Sequence, residues 1–248
     1  MIYYFSATGN NKYLAEQIAQ SENMQARSIQ SYDGNIIEQD EIIGIVAPTY
    51  FWGLPKIVSV FLNQIKVEKT KYIFYVTTYG TTPGKSYEFA REILAKRNIK
   101  LSAMYSVKMP DVWTPIFDLS NKEKVYIQNQ KAENQLDDIC RLIEKRAKGT
   151  FVKDRFVPKI IAKAYNLYGL KESTKTSHLH VGATCIGCGL CEKKCPADAI
   201  EMVDGKPTWI KSECEMCLGC LHRCPKFAIQ YDNKTQKHGQ YRHPKTKI

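Results

Sequence analysis

Two cysteine runs near the carboxyl end constrain this chain more than any other feature. The first reads Cys185-Ile-Gly-Cys188-Gly-Leu-Cys191-Glu-Lys-Lys-Cys195-Pro196. The second reads Cys214-Glu-Met-Cys217-Leu-Gly-Cys220-Leu-His-Arg-Cys224-Pro225. Both are C-x₂-C-x₂-C-x₃-C-P. A constant offset of 29 residues relates them and extends to Ile200 and Ile229, so the segment is an internal repeat. In a secreted mini-protein such crowding signals disulfides. Here the start Met1-Ile2-Tyr3-Tyr4-Phe5-Ser6 lacks the basic opening and long apolar stretch of a signal peptide. The expected compartment is cytoplasmic, where thiols stay reduced and this spacing signals metal. Three thiolates two residues apart wrap one face of a cubane in a tight turn, and the fourth, at a helix start, points away toward a neighbouring cluster. A structural zinc site would not need four cysteines per run with a proline after the last. Two [4Fe–4S] clusters are therefore expected. The ninth cysteine, Cys140, sits on a helical face and reads as a small apolar residue.

Over about 50 residues this segment resembles the bacterial two-cluster ferredoxins, whose fourth cysteine ligates the other cluster. The resemblance implies one cluster on Cys185, Cys188, Cys191 and Cys224, and another on Cys214, Cys217, Cys220 and Cys195. It also implies that Gly187 and Gly189 let backbone amides approach the sulfides, and that Ala199–Val203 and Ala228–Tyr231 back the clusters as short strands.

The first 148 residues have a different pattern. Short apolar runs at Ile2–Phe5, Ala26–Ile29, Ile42–Ala47, Lys71–Thr78 and Leu101–Lys108 alternate with amphipathic segments, the last a long helix over Asn121–Ala147. Such alternation predicts a doubly wound α/β parallel sheet covered on both faces. Ser6-Ala7-Thr8-Gly9-Asn10-Asn11 follows the first strand and opens a helix, which Asn10 or Asn11 can cap. Hydroxyls, a glycine and free helix-start amides make an anion pocket there. Two further loops leave strand carboxyl ends, where open sheets bind ligands. Pro48-Thr49-Tyr50-Phe51-Trp52-Gly53 offers three adjacent aromatics able to stack on a flat ring. Thr78-Tyr79-Gly80 faces it. One decoy is set aside: Gly80-Thr-Thr-Pro-Gly84-Lys85-Ser86 has three residues between its glycines, and a P-loop needs four.

Residues 1 to about 147 look like flavodoxin, whose strand-one loop binds the phosphate of FMN. The resemblance implies strand order 2-1-3-4-5 and FMN held by Ser6, Ala7, Thr8, Gly9, Asn10, Asn11, Pro48, Thr49, Tyr50, Phe51, Trp52, Gly53, Thr78, Tyr79 and Gly80. The joint pattern resembles the flavodoxin–ferredoxin fusion proteins, a family named for its EFR-type ferredoxin architecture. The expected division is a flavodoxin-like FMN-binding domain over 1–148, a helical connector over 149–180, a small α+β two-cluster ferredoxin domain over 181–232 and a frayed basic tail over 233–248. The connector helix, Pro158–Leu170, carries Ile160, Ile161, Ala164, Tyr165 and Tyr168; polar Lys171–His180 reads as linker.

The net charge of +11 is uneven: residues 1–120 carry +1 and the rest +10. Clusters and a flavin phosphate would offset part of that excess. The remainder favours an acidic, ferredoxin-like redox partner over nucleic acid, since the lysines are dispersed and no recognition motif accompanies them. No run of about 18 apolar residues predicts a membrane span. The resemblance implies an oxidoreductase-class electron carrier passing electrons between clusters and FMN. Two alternatives stay open: a ferredoxin-fed flavin reductase of a small molecule or quinone, with Trp113, Phe117 and the helix near Tyr165 as lid, or a cluster module with an empty flavodoxin half.

Overall fold

The computed structural model describes residues 1–68, 71–153, 157–233 and 235–248. In chain order the first half contributes β1 (Ile2–Tyr4), α1 (Asn10–Ser21), β2 (Ala26–Ser28), β3 (Ile37–Glu38), β4 (Ile42–Pro48), α2 (Lys56–Gln64), β5 (Lys66–Val67), β6 (Tyr72–Tyr79), α3 (Ser86–Ala95), β7 (Ala103–Lys108), α4 (Lys122–Glu144) and β8 (Gly149–Phe151). The main sheet runs β2-β1-β4-β6-β7-β8, all parallel. Its first five members keep the expected order 2-1-3-4-5, and β8 adds a sixth strand at one edge. β3 and β5 pair separately.

Strand composition explains the two layers. β4 (IIGIVAP) and β6 (YIFYVTTY) are nearly continuous apolar runs, as strands buried on both faces must be. Alternation along them divides the core. Tyr3, Ile43, Ile45 and Tyr75 pack with Val58, Phe61 and Leu62 of α2 and Ala90 and Leu94 of α3. Ile2, Val46, Phe74 and Val76 pack with Leu14 and Ile18 of α1 and Leu136 and Ile143 of α4. Truncating one of these fully buried side chains to alanine costs about 2–5 kcal/mol.

The second half adds α5 (Lys159–Ser173), β9 (Leu179–Val181), α6 (Leu190–Lys193), β10 (Ile200–Val203), β11 (Lys206–Trp209), α7 (Gly219–Arg223), β12 (Ile229–Tyr231) and α8 (Thr235–His238). The 29-residue repeat is visible in the backbone. α6 maps onto α7, and β10 onto β12. The left-handed residues pair too: Gly187 with Met216, Gly189 with Leu218, Asp198 with Phe227. Glycine takes this conformation freely; methionine and leucine hold it against a penalty of about 1–2 kcal/mol.

Three expectations need correction. The connector is no passive linker, since its first residues form β8, and Leu179–Val181 pairs antiparallel with β12. Its helix α5 forms as expected but buries its small residues. Its buried residues are Ala162, Asn166 and Gly169, while Ile160 is 84% and Tyr168 67% exposed. The helix lies so close to the Tyr50–Gly53 loop that only small or hydrogen-bonding side chains fit. The tail is not frayed. Tyr241 and His243 are buried, Tyr241 Oη donates to Asn10 Oδ1 (2.7 Å) and lies 3.0 Å from Asn129 Oδ1, and the His243 ring stacks on Tyr13 at 4.2 Å. Lys234, near the expected start of that tail, and residues 154–156 of the connector lie outside the described residues. Finally, α1 is preceded by Gly9 at φ +100°, with no side-chain cap from Asn10 or Asn11.

Candidate functional site

Each set of four cysteines that the ferredoxin resemblance implies lines its own cavity. One is bounded by Cys185, Cys188, Cys191 and Cys224. The other is bounded by Cys195, Cys214, Cys217 and Cys220, with Trp209 and Tyr231 behind them. The fourth cysteine of each run thus lies with the first three of the other. None of the nine cysteines is in a disulfide, and four thiols arranged around a space are the donor set a cluster takes. The fourth thiols are held alike, by Ala199 N–H to Cys195 Sγ (3.4 Å) and Ala228 N–H to Cys224 Sγ (3.2 Å). The two sites differ in depth. Cys188 is exposed, whereas burial pushes the Cys217 thiol up to about 12 and raises Cys220 well above its ordinary value.

A third, larger cavity opens at the carboxyl edge of the main sheet. Ser6, Ala7, Thr8, Asn10 and Asn11 line one end; Pro48, Thr49, Tyr50, Phe51, Trp52, Thr78, Tyr79 and Gly80 line the rest. Of the expected flavin residues only Gly9 and Gly53 do not face it. A methyl group on Gly9 would meet the His243 side chain at 2.9 Å, and Gly53 backs onto Asn166. The α1 amides are uncapped by side chains, as an anion site requires. Asn11 instead ties the ends of β1 and β6 together. Its Nδ2 donates to Phe5 O (2.8 Å) and its Oδ1 accepts from Thr78 Oγ1 (2.7 Å).

The aromatic loop is a tight turn under strain. Tyr50 and Gly53 exchange both backbone hydrogen bonds at 2.9 Å, and Phe51 and Trp52 between them both have positive φ (46° and 62°). Such a turn normally recruits Asn-Gly. Two bulky residues stay there because neighbours hold them. Asn166 Nδ2 donates to Tyr50 O (2.7 Å) and, at longer range, to Leu54 O (3.4 Å); Gly169 lies flat against the Phe51 ring; Lys85 N–H donates to Trp52 O (2.7 Å). Tyr165 completes the group against Phe51 and Trp52. The expected lid residues Trp113, Phe117 and Tyr165 all line the cavity, with Ile116 at its rim.

Sequence reading missed the inner wall. Met216, Cys217 and Leu218 of the second cysteine run line this same cavity. Their left-handed backbone, where the first run has glycine, turns Met216 and Leu218 into wall. Several contacts dock the cysteine module here. Glu215 accepts the Ile57 N–H (3.1 Å) and caps α2, which has no cap of its own. Arg223 donates from Nη2 to Ser6 O and from Nη1 to Lys194 O, both at 3.2 Å. His222 donates from Nε2 to Val112 O (2.9 Å) and accepts the Tyr241 N–H at Nδ1 (3.2 Å), and burial holds it neutral, its pKa lowered to about 4. Trp113 meets Tyr231 edge-on at 5.1 Å. The 29-residue offset was the one available signal, because it aligns Met216 and Leu218 with the two glycines.

Comparison with known proteins agrees with this division. Residues 1–137 match the family model of the flavodoxin domain, and residues 184–229 match that of the 4Fe-4S dicluster domain. A 46-residue stretch is 41% identical to a subunit of the ion-translocating oxidoreductase complex of Methanosarcina acetivorans, covering 18% of this chain and 17% of that protein. Among solved structures, a flavodoxin from the domain Archaea is 15% identical with TM-score 0.34, over 58% of this chain and 96% of that one. Rubredoxin oxygen:oxidoreductase from Desulfovibrio gigas is 13% identical with TM-score 0.38, over 58% and 36%. No described helix is long and apolar enough to cross a membrane. With more than half its length matched by that model, the chain belongs to the flavodoxin domain family, as a flavodoxin–ferredoxin fusion of the iron–sulfur flavoprotein, electron-transfer class.

Proposed function

We propose that this protein passes electrons between two [4Fe–4S] clusters, ligated by the crossed cysteine sets, and FMN held in the large cavity. One observation carries the reading: Cys217 lies in the wall of both its own cysteine cavity and the cavity lined by the phosphate loop and aromatic turn. A cluster on that thiolate would lie beside the flavin site, with Cys217 itself in the shared wall. When bound, FMN supplies the change between one-electron and two-electron transfer. The chain's residues do the rest. The α1 amides and Ser6 and Thr8 hold the phosphate, Tyr50–Trp52 and Tyr79 bracket the ring, and Trp113, Phe117 and Tyr165 exclude water. The other cysteine set, with exposed Cys188 and nearby Lys193, Lys194 and Lys226, is the outer port and suits an acidic ferredoxin-like donor.

Anaerobic purification with iron, sulfide and flavin quantified, followed by stopped-flow reduction by a ferredoxin, tests this. Cluster bleaching should precede flavin bleaching, and the rate should fall with salt. Flavin reduced as fast in a variant lacking the Cys217-side cluster would refute the path. A second reading, reduction of a small molecule or quinone at the flavin, draws on the apolar rim, where Ile116 is 68% exposed. Turnover of a quinone and nitro-compound panel would favour it.

A further inference from the structure

The cavity just described holds a carboxyl that the sequence pattern did not single out. Asp111, on the loop between β7 and α4, is the one carboxyl among the described lining residues, and no described lysine, arginine or histidine lines the cavity with it. Its Oδ1 accepts the Trp113 N–H at 3.1 Å, and its Oδ2 lies 3.4 Å from Thr81 Oγ1. The side chain packs directly on Gly80, where any Cβ would displace it. The titratable groups facing the cavity from other elements are Tyr50 on the aromatic turn, Tyr79 ending β6, Tyr165 on α5 and Cys217 on the cysteine loop. None is cationic. His222, which binds the neighbouring Val112 carbonyl, is held neutral. Burial raises the Asp111 carboxyl above its ordinary value, against smaller lowering effects from Trp113 and Thr81.

Arg223 reaches this lining from behind, where it donates to Ser6 O; no described cation lines the cavity itself, and charge added there without compensation is costly. We propose that Asp111 is the proton donor and acceptor for two-electron chemistry in this cavity. The proposal rests on the FMN reading above. With FMN bound and two electrons supplied by the clusters, the Asp111 O–H bond would break, its proton passing to the flavin and the bonding pair staying on the carboxylate. A hydronium ion from solvent at the Ile116 rim would reprotonate Asp111, and the reverse sequence would serve oxidation. Gly80 is bare so that the carboxyl can sit at the edge of the loop that flanks the ring.

The test uses the full chain with clusters and flavin loaded, comparing wild type with Asp111→Asn, which keeps the acceptor for Trp113. The flavin midpoint potential is measured against pH, with flavin and iron contents determined in parallel. Wild type should show a bend in that plot above the usual carboxylate range. Asp111→Asn should lose the bend, keep its flavin and iron, and reduce flavin roughly 10²–10⁴-fold more slowly. Asp111→Glu should restore the bend. An Asp111→Asn protein with the wild-type bend and rate overturns the proposal. Wild-type protein that takes up clusters but no FMN overturns the cavity reading, and this proposal with it.

Discussion

Replacing Asn166 with alanine should loosen FMN while leaving the clusters alone. The Asn166 amide is 9% exposed and donates to Tyr50 O at 2.7 Å and Leu54 O at 3.4 Å. The first is a full hydrogen bond and the second a weak one. Tyr50 O keeps the Gly53 N–H, so removing the Asn166 donor takes away one of its two hydrogen bonds, at about 0.5–1.5 kcal/mol. That carbonyl belongs to a turn in which Phe51 and Trp52 already resist positive φ. Relaxing them recovers some of their strain, about 1–2 kcal/mol each, and so drives the turn open once the clamp is gone. If that loss falls on the closed turn, FMN affinity falls roughly 2- to 12-fold. Titrating apo-protein with FMN and following flavin fluorescence measures this, and the iron content reports on the cysteine module. Unchanged affinity in Asn166→Ala would show that the aromatic turn does not hold the ring. Parallel loss of iron would show that α5 supports the whole chain rather than the turn.

Four other outcomes follow from the same geometry. Anaerobic iron and sulfide should each approach about eight per chain, and half that in fully reconstituted protein would sink the two-cluster count. Cys195→Ala should damage the cluster of Cys214, Cys217 and Cys220 and spare the other; loss of the Cys185-side signal alone in electron paramagnetic resonance would contradict the crossed ligation. Thr8→Ala should weaken FMN by removing a phosphate contact worth about 1.5–3 kcal/mol, and unchanged titration would reduce the loop to a helix start. Burial holds folded His222 neutral, its pKa lowered to about 4 from the ordinary 6.5, so acid favours the unfolded chain: the stability this group contributes is full above about pH 6.5 and is lost as pH falls toward 4. Denaturant unfolding at several pH values should show that slope in wild type and a shallower one in His222→Gln; equal slopes would remove His222 as its source.

The cysteine segment is legible in the sequence because its spacing is itself the geometry. Ligands two residues apart in a tight turn leave the chain few conformations, and the 29-residue offset carries over to helices, strands and left-handed residues alike. The parallel sheet is legible for a similar reason: β4 and β6 are apolar throughout, and their ends mark where loops must gather. α5 is not, because residue size misleads about burial there. Ile160 and Tyr168 are the large apolar residues, but Ala162, Asn166 and Gly169 face inward; the Phe51 ring leaves no room for a Cβ at Gly169, and Asn166 packs on Gly53. Nor is the tail, because a basic segment with no period gives no sign that Tyr241 will find Asn10 and Asn129.

The sequence by itself determined the two modules, the cysteine spacing and the loops at the sheet edge, since each depends on residues within a few positions of one another. Only tertiary structure decided that Cys217 stands in the wall of the cavity that Tyr50 and Thr8 line, that α5 clamps the aromatic turn, and that Asp111 sits against Gly80. Those meetings join segments 30 to more than 200 residues apart. They depend on which surfaces exclude water together, and local spacing carries no record of that.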